Sequence, residues 1–158
     1  MSQIYLFPGP VHTGKTTRLT EWINNKNDVD GILQPLINGR RHIKHILSGE
    51  TRLLEVIQDF DQQNIISIGD YKFSADVFEW AQSQLLISFN RNPEWIIIDE
   101  VGKLEMDNKG LEPAVSEIIN NLNKDIDINL VFVVRDYLIP NILKKYSLTK
   151  NDIRVLKI

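Results

Sequence analysis

Cysteine is absent from the 158 residues, which removes disulfides, thiolate zinc sites and thiol nucleophiles from consideration together. No apolar run approaches the roughly 20 residues that a membrane-crossing helix needs. Positive charge is not in excess: 18 Lys and Arg stand against 21 Asp and Glu, a net charge of −3, so no nucleic-acid partner or membrane is expected. Histidine is scarce, and His12, His42 and His45 form no metal cluster. His42 and His45 fall on opposite faces of an extended segment, where a solvated or packing role is expected for both. Trp22, Trp80 and Trp95 are expected to pack in the core or at its rim. The chain runs directly from Met1-Ser2-Gln3 into an apolar stretch, leaving no room for a leader peptide. Internal repeats and linkers are lacking too. Together these absences leave a cytoplasmic enzyme or switch, one domain over 1–158, with enough chain to bury a core.

What is present begins with Gly9-Pro10-Val11-His12-Thr13-Gly14-Lys15-Thr16, which fits the phosphate-binding pattern G-x-x-x-x-G-K-[ST]. An apolar strand-like run, Ile4-Tyr5-Leu6-Phe7, precedes it. A helix over 16–23 follows, with Leu19, Trp22 and Ile23 on one face. Peptide N–H groups in such a loop and at a helix start lack intrahelical partners and can wrap a polyphosphate. Lys15 reaches the outer phosphates, the Thr16 hydroxyl is placed to ligate Mg²⁺, and Thr17 adjoins them. His12 lies inside the loop, where its ring either touches phosphate or points to solvent.

Further along, 31–37 reads as a strand, Asn38-Gly39 as a hairpin turn, and 41–48 as the return strand. Strand or short helix fits 51–57. Short strands at 65–68 and 71–73 flank Gly69-Asp70, so 31–73 reads as an antiparallel β-rich insertion. Ser74 is a plausible helix cap for 75–90, with Phe78, Ala81, Leu85 and Phe89 inward. Continuous apolar runs at 95–98 and 130–134 have the character of strands buried on both faces. Helices are expected over 111–122, with Pro113 in the first turn, and over 140–146, and a last strand over 153–158. The alternation predicts a three-layer α/β domain with a mainly parallel central sheet and an antiparallel β-hairpin insertion.

Ile96-Ile97-Ile98-Asp99-Glu100 has the form of a Walker B element, an acid carried out of the core by a buried strand. Asp99 is placed to hold Mg²⁺ opposite the P-loop hydroxyl, and Glu100 to orient or deprotonate a water. Gly102 would allow close backbone approach. Lys103 either supplies charge at a terminal phosphate or pairs with Glu100 or Glu105.

GPVHTGKTT and IIIDEVGKLEM together resemble the small P-loop nucleoside-triphosphatase family that includes thermophilic archaeal and bacterial NTPases and the cancer-related nucleoside-triphosphatase. Asn38-Gly39-Arg40-Arg41 resembles that family's hairpin tip, and Gly69-Asp70-Tyr71 its strand-turn before the middle helix. The similarity runs to about residue 135. It implies a RecA-like P-loop fold and Mg²⁺-dependent hydrolysis of nucleoside triphosphates (ATP or GTP) with broad base tolerance. It also implies Lys15, Thr16, Asp99, Glu100 and Lys103 as the active set. Two departures stand out. Val11-His12-Thr13 replaces the more usual Pro-Gly-Val, and Arg135-Asp136 matches the family's late segment only loosely. Arg135 senses phosphate, contacts the base or makes a structural salt bridge.

Two other functions fit a P-loop. A nucleotide or small-molecule kinase would need an acceptor pocket and an Arg-rich lid, for which Arg40 and Arg41 are the only adjacent pair. A nucleotide-gated module would use 31–73, a hairpin not needed to build the nucleotide site, as its surface for a protein partner.

Overall fold

The computed structural model describes residues 1–9, 15–57 and 64–158, and for Lys15 and Thr16 the backbone alone. Strand β1 (Gln3–Gly9) leads towards the P-loop and helix α1 (Lys15–Asn24) leads away from it. Strands β2 (Val29–Leu33), β3 (Leu36–Ile37), β4 (Arg40–His45) and β5 (Thr51–Leu53) follow, then the hairpin β6 (Ile65–Ile68) and β7 (Tyr71–Ser74). Helix α2 (Ala75–Asn90), strand β8 (Trp95–Ile98), the short helix α3 (Lys103–Met106) and α4 (Ala114–Asn120) come next. Strand β9 (Asn129–Arg135), helix α5 (Ile139–Lys145) and strand β10 (Ile153–Val155) complete the order.

The main sheet runs β10-β1-β9-β8-β2-β4-β3, with β5 on β4. Its first five strands are mutually parallel, and β4 then pairs antiparallel with β2. Alternation along the central strands sorts their side chains onto two faces. Ile96, Ile98, Leu130, Phe132 and Val134 face α2, α4 and α5, where Phe78, Leu85, Val115 and Ile142 meet them. Ile97, Val131 and Val133 face Leu19 and Trp22 of α1. The result is the expected three-layer α/β arrangement. No helix of the described residues is long and apolar enough to cross a membrane.

Several elements depart from the sequence expectations. The stretch from residue 31 does not open an antiparallel insertion, because β2 starts at Val29 and pairs in parallel with β8. Gly31 permits that pairing: at φ 116° it lies so close to β8 that a Cβ would overlap the Ile97 carbonyl oxygen. The strand breaks at Gln34-Pro35, and the true hairpin is β3–β4 about Asn38 and Gly39, with φ of 52° and 75°, as a type I′ turn requires. Segment 51–57 is a strand only over Thr51–Leu53. The helix expected over 111–122 covers Ala114–Asn120. Pro113 is its cap rather than part of its first turn, with φ −90° and ψ 8° outside the helical range. Ser74 caps α2 as expected, accepting the Val77 N–H.

Away from the P-loop end, buried Asp30 joins three elements. Its carboxylate takes Arg91 at 2.6 Å and His45 at 3.0 Å, tying β2 to β4 and to the end of α2. His45 thus has a packing role, while His42 donates to the Arg40 carbonyl nearer the surface. Trp22 and Trp95 meet edge to face at 4.8 Å, and Arg52 lies over Trp80 at 4.4 Å, so all three tryptophans pack as expected.

Candidate functional site at the carboxyl end of the sheet

The parallel strands deliver their carboxyl ends to one edge, the usual place for ligands in an open α/β sheet. Pro10, Val11, His12, Thr13 and Gly14 lie outside the described residues, as do the side chains of Lys15 and Thr16. Gly9 closes β1 and stands in register with Arg135 at the end of β9. Thr17 is exposed on the first turn of α1.

One strand further on, β8 delivers Asp99 and Glu100. Asp99 is fully buried. Its Oδ2 accepts the Gln34 N–H at 2.9 Å, and its carbonyl accepts Gln34 Nε2 at 3.0 Å. Glu100 takes φ 59°, a left-handed conformation that costs a residue with a side chain roughly 1–3 kcal/mol. The next N–H, of Val101, is fixed to the Val133 carbonyl at 3.1 Å, so the turn is held from both sides. Such a conformation persists only where its surroundings impose it.

Arg41 completes this corner. Its guanidinium donates to the Gln34 carbonyl at 2.9 Å and stands 4.0 Å from Glu100 Oε1, while Glu55 accepts its backbone N–H. The nucleotide-gated alternative treated the hairpin as not needed to build the nucleotide site; here Gln34, just before the hairpin, and Arg41 of β4 stand at the Asp99–Glu100 corner. Gln34 was missed altogether; its signal was a polar residue interrupting the apolar run GILQPLI, followed by proline.

Lys103 begins α3, with its ammonium 5.9 Å from the ring centre of Tyr137. Arg135 hydrogen-bonds the Tyr137 phenol and, with help from Lys103, holds that phenol below its ordinary pKa. Lys103 and Arg135 are therefore brought to one place. Glu105, one of the expected partners of Lys103, turns inward instead. Its carboxylate accepts the N–H groups of Gly102 at 2.8 Å and Leu111 at 2.9 Å. Burial raises its pKa to about 7, against the opposing pull of those two bonds. A Cβ at Gly102 would meet nothing nearer than 3.9 Å, leaving room beside the strand end. Glu112, which accepts from Tyr146 at 2.6 Å and Ser116 at 2.7 Å, forms a second buried acid nearby.

Between these groups and the β6–β7 hairpin lies a cavity of about 320 Å³. Arg41, Glu100, Lys103 and Arg135 line one side, and Asp70, Tyr71, Phe73 and Phe78 another. The arrangement can hold an anion among three cations and present a carboxylate, Glu100, to whatever sits beside it. Among the described residues no group of three or more His, Asp or Glu is arranged to hold a metal.

The profile of the NTPase family matches residues 5–158. Comparison with curated proteins finds no match. Among solved structures, THEP1 from the hyperthermophile Aquifex aeolicus is similar, at 19% identity and a TM-score of 0.72, over 99% of this chain and 89% of that one. At that identity the likeness concerns the fold, and it is the α/β fold built here. With the family profile spanning nearly the whole length and the α/β fold in agreement, the chain belongs to the NTPase family of small P-loop proteins.

Proposed function

We propose that the chain hydrolyses nucleoside triphosphates to diphosphate and phosphate in a Mg²⁺-dependent reaction, with Glu100 activating the attacking water. The observation that carries this reading is Glu100 itself. It is held at φ 59° beside buried Asp99, one strand from Arg135 and two from the end of β1. A carboxylate kept in a costly conformation at that edge is aimed rather than merely solvated.

In this reading residues 9–17 bind the phosphates, with Lys15 on the outer ones. Asp99 and the Thr16 hydroxyl would hold Mg²⁺, and their hard oxygen donors suit that ion. Bound there, it would neutralise phosphate charge. Gln34 fixes the Asp99 carboxylate from below. Glu100 takes a proton from water positioned in line with the terminal phosphate. Lys103 and Arg135 offer positive charge where the transferring group becomes more anionic.

Phosphate release from ATP and GTP tests this, with Mg²⁺ or with chelator, for the parent chain, Lys15→Ala and Glu100→Gln. Each substitution is expected to lower the rate by about a hundredfold or more. Rates unchanged by both would sink the reading.

A further inference from the structure

Activating water needs one carboxylate and a small volume, yet Glu100 opens onto about 320 Å³ of space. That is within the range of small-ligand sites, roughly 300–1,000 Å³. The position of this space follows from the strand order. Passing across the sheet from β1, the ends of β9 and β8 present Arg135 and then Glu100, both in the cavity wall, and the cavity continues past them to Gln34, just after β2, and Arg41 of β4. In the hydrolytic reading above, a triphosphate bound after β1 with its terminal phosphate at Glu100 would turn that phosphate towards the cavity.

The far wall is aromatic. Tyr71 and Phe73 project from the same face of β7 with ring centres 6.0 Å apart and planes within 10°. Phe78 meets Phe73 edge to face. Tyr71 is 60% exposed, so a large ring face is presented to solvent with no core to fill. Beside the rings, Glu55 and Asp70 bring carboxylates that accept from amino or hydroxyl groups. Stacking faces with acceptors at their rim are the chemistry that binds a base and its sugar.

We propose that this cavity takes a second substrate, a nucleoside, and that the chain transfers the terminal phosphoryl group to a hydroxyl of that nucleoside. Water is the acceptor when the cavity is empty. The proposal rests on the hydrolytic reading of Glu100 given above. In the step, the nucleoside hydroxyl oxygen bonds to the γ-phosphorus and the bond from that phosphorus to the β–γ bridging oxygen breaks. The hydroxyl proton passes to Glu100. The products are a nucleoside monophosphate and a nucleoside diphosphate.

The test supplies γ-labelled ATP and Mg²⁺ with each common ribo- and deoxyribonucleoside in turn, separating free phosphate from labelled nucleoside. Labelled nucleoside monophosphate with a saturable dependence on nucleoside is expected. Tyr71→Ala is expected to lower transfer about tenfold, the weight of one base–ring stack. Hydrolysis to free phosphate should stay within twofold, and Tyr71→Phe should restore transfer. Asp70→Asn, in an exposed turn, gives a second variant expected to weaken transfer. Normal phosphate release with no labelled nucleoside overturns this proposal alone. So does transfer that neither substitution changes. Phosphate release indifferent to Lys15→Ala and Glu100→Gln overturns the hydrolytic reading instead.

Discussion

Glu105 carries a carboxyl group that folding removes from water, so its protonation and the stability of the fold are linked. Its pKa rises from 4.5 to about 7, chiefly because burial penalises the charged form. At any pH between those values the folded chain keeps a proton that the unfolded chain has lost. Stability therefore falls as pH rises through this window. Each unit is worth up to about 1.4 kcal/mol. The interval from 4.5 to 7 then amounts to about 3 kcal/mol, fully expressed above the upper value and absent below the lower one. Glu105→Gln removes the titration and keeps the shape. It also weakens one of the two N–H bonds from Gly102 and Leu111, a cost of about 1 kcal/mol at every pH. Urea unfolding followed by circular dichroism at pH 4.5, 5.5, 6.5 and 7.5 would measure both chains. The stability of Glu105→Gln minus that of the parent is expected to climb by about 3 kcal/mol across the series. Taking the difference cancels the other titrating groups. A difference that stays flat with pH would refute the linkage, whatever its absolute value.

Glu100→Gly should relieve the left-handed strain and raise stability by about 1 kcal/mol while abolishing phosphate release, checked by thermal melting beside the rate assay. Gln34→Ala removes the side-chain bond to the Asp99 carbonyl but keeps the backbone N–H that holds the Asp99 carboxylate; it should cost about 1 kcal/mol of stability, read from the urea midpoint, and leave the Mg²⁺ dependence of phosphate release within about twofold. Gly31→Ala forces a Cβ into the backbone of β8 at φ 116° and should cost about 3 kcal/mol or more, read from the urea midpoint.

Local sequence was enough wherever the information is local. The P-loop spelling, the Asn38-Gly39 turn, the Ser74 cap and the unbroken Trp95–Ile98 run each depend on neighbours a few residues away. Period and turn chemistry therefore identified most strands and helices and the three-layer α/β class. The acids at 99 and 100 were legible because a buried strand has to end in something polar. The tertiary fold decided what those segments assemble. Strand order placed β2 beside β8, brought Gln34 under Asp99 and swung Arg41 to within 4.0 Å of Glu100. These contacts join positions some 60 residues apart, and no period in the chain encodes them. The same holds for Glu105. The sequence shows only a charge near Lys103, whereas packing against Gly102 and Leu111 turns that charge inward and raises its pKa. Chain spelling fixes which chemical groups are available, because side-chain identity is local. Burial, approach and charge environment belong to the packed sheet, because they are set by atoms that distant parts of the chain deliver.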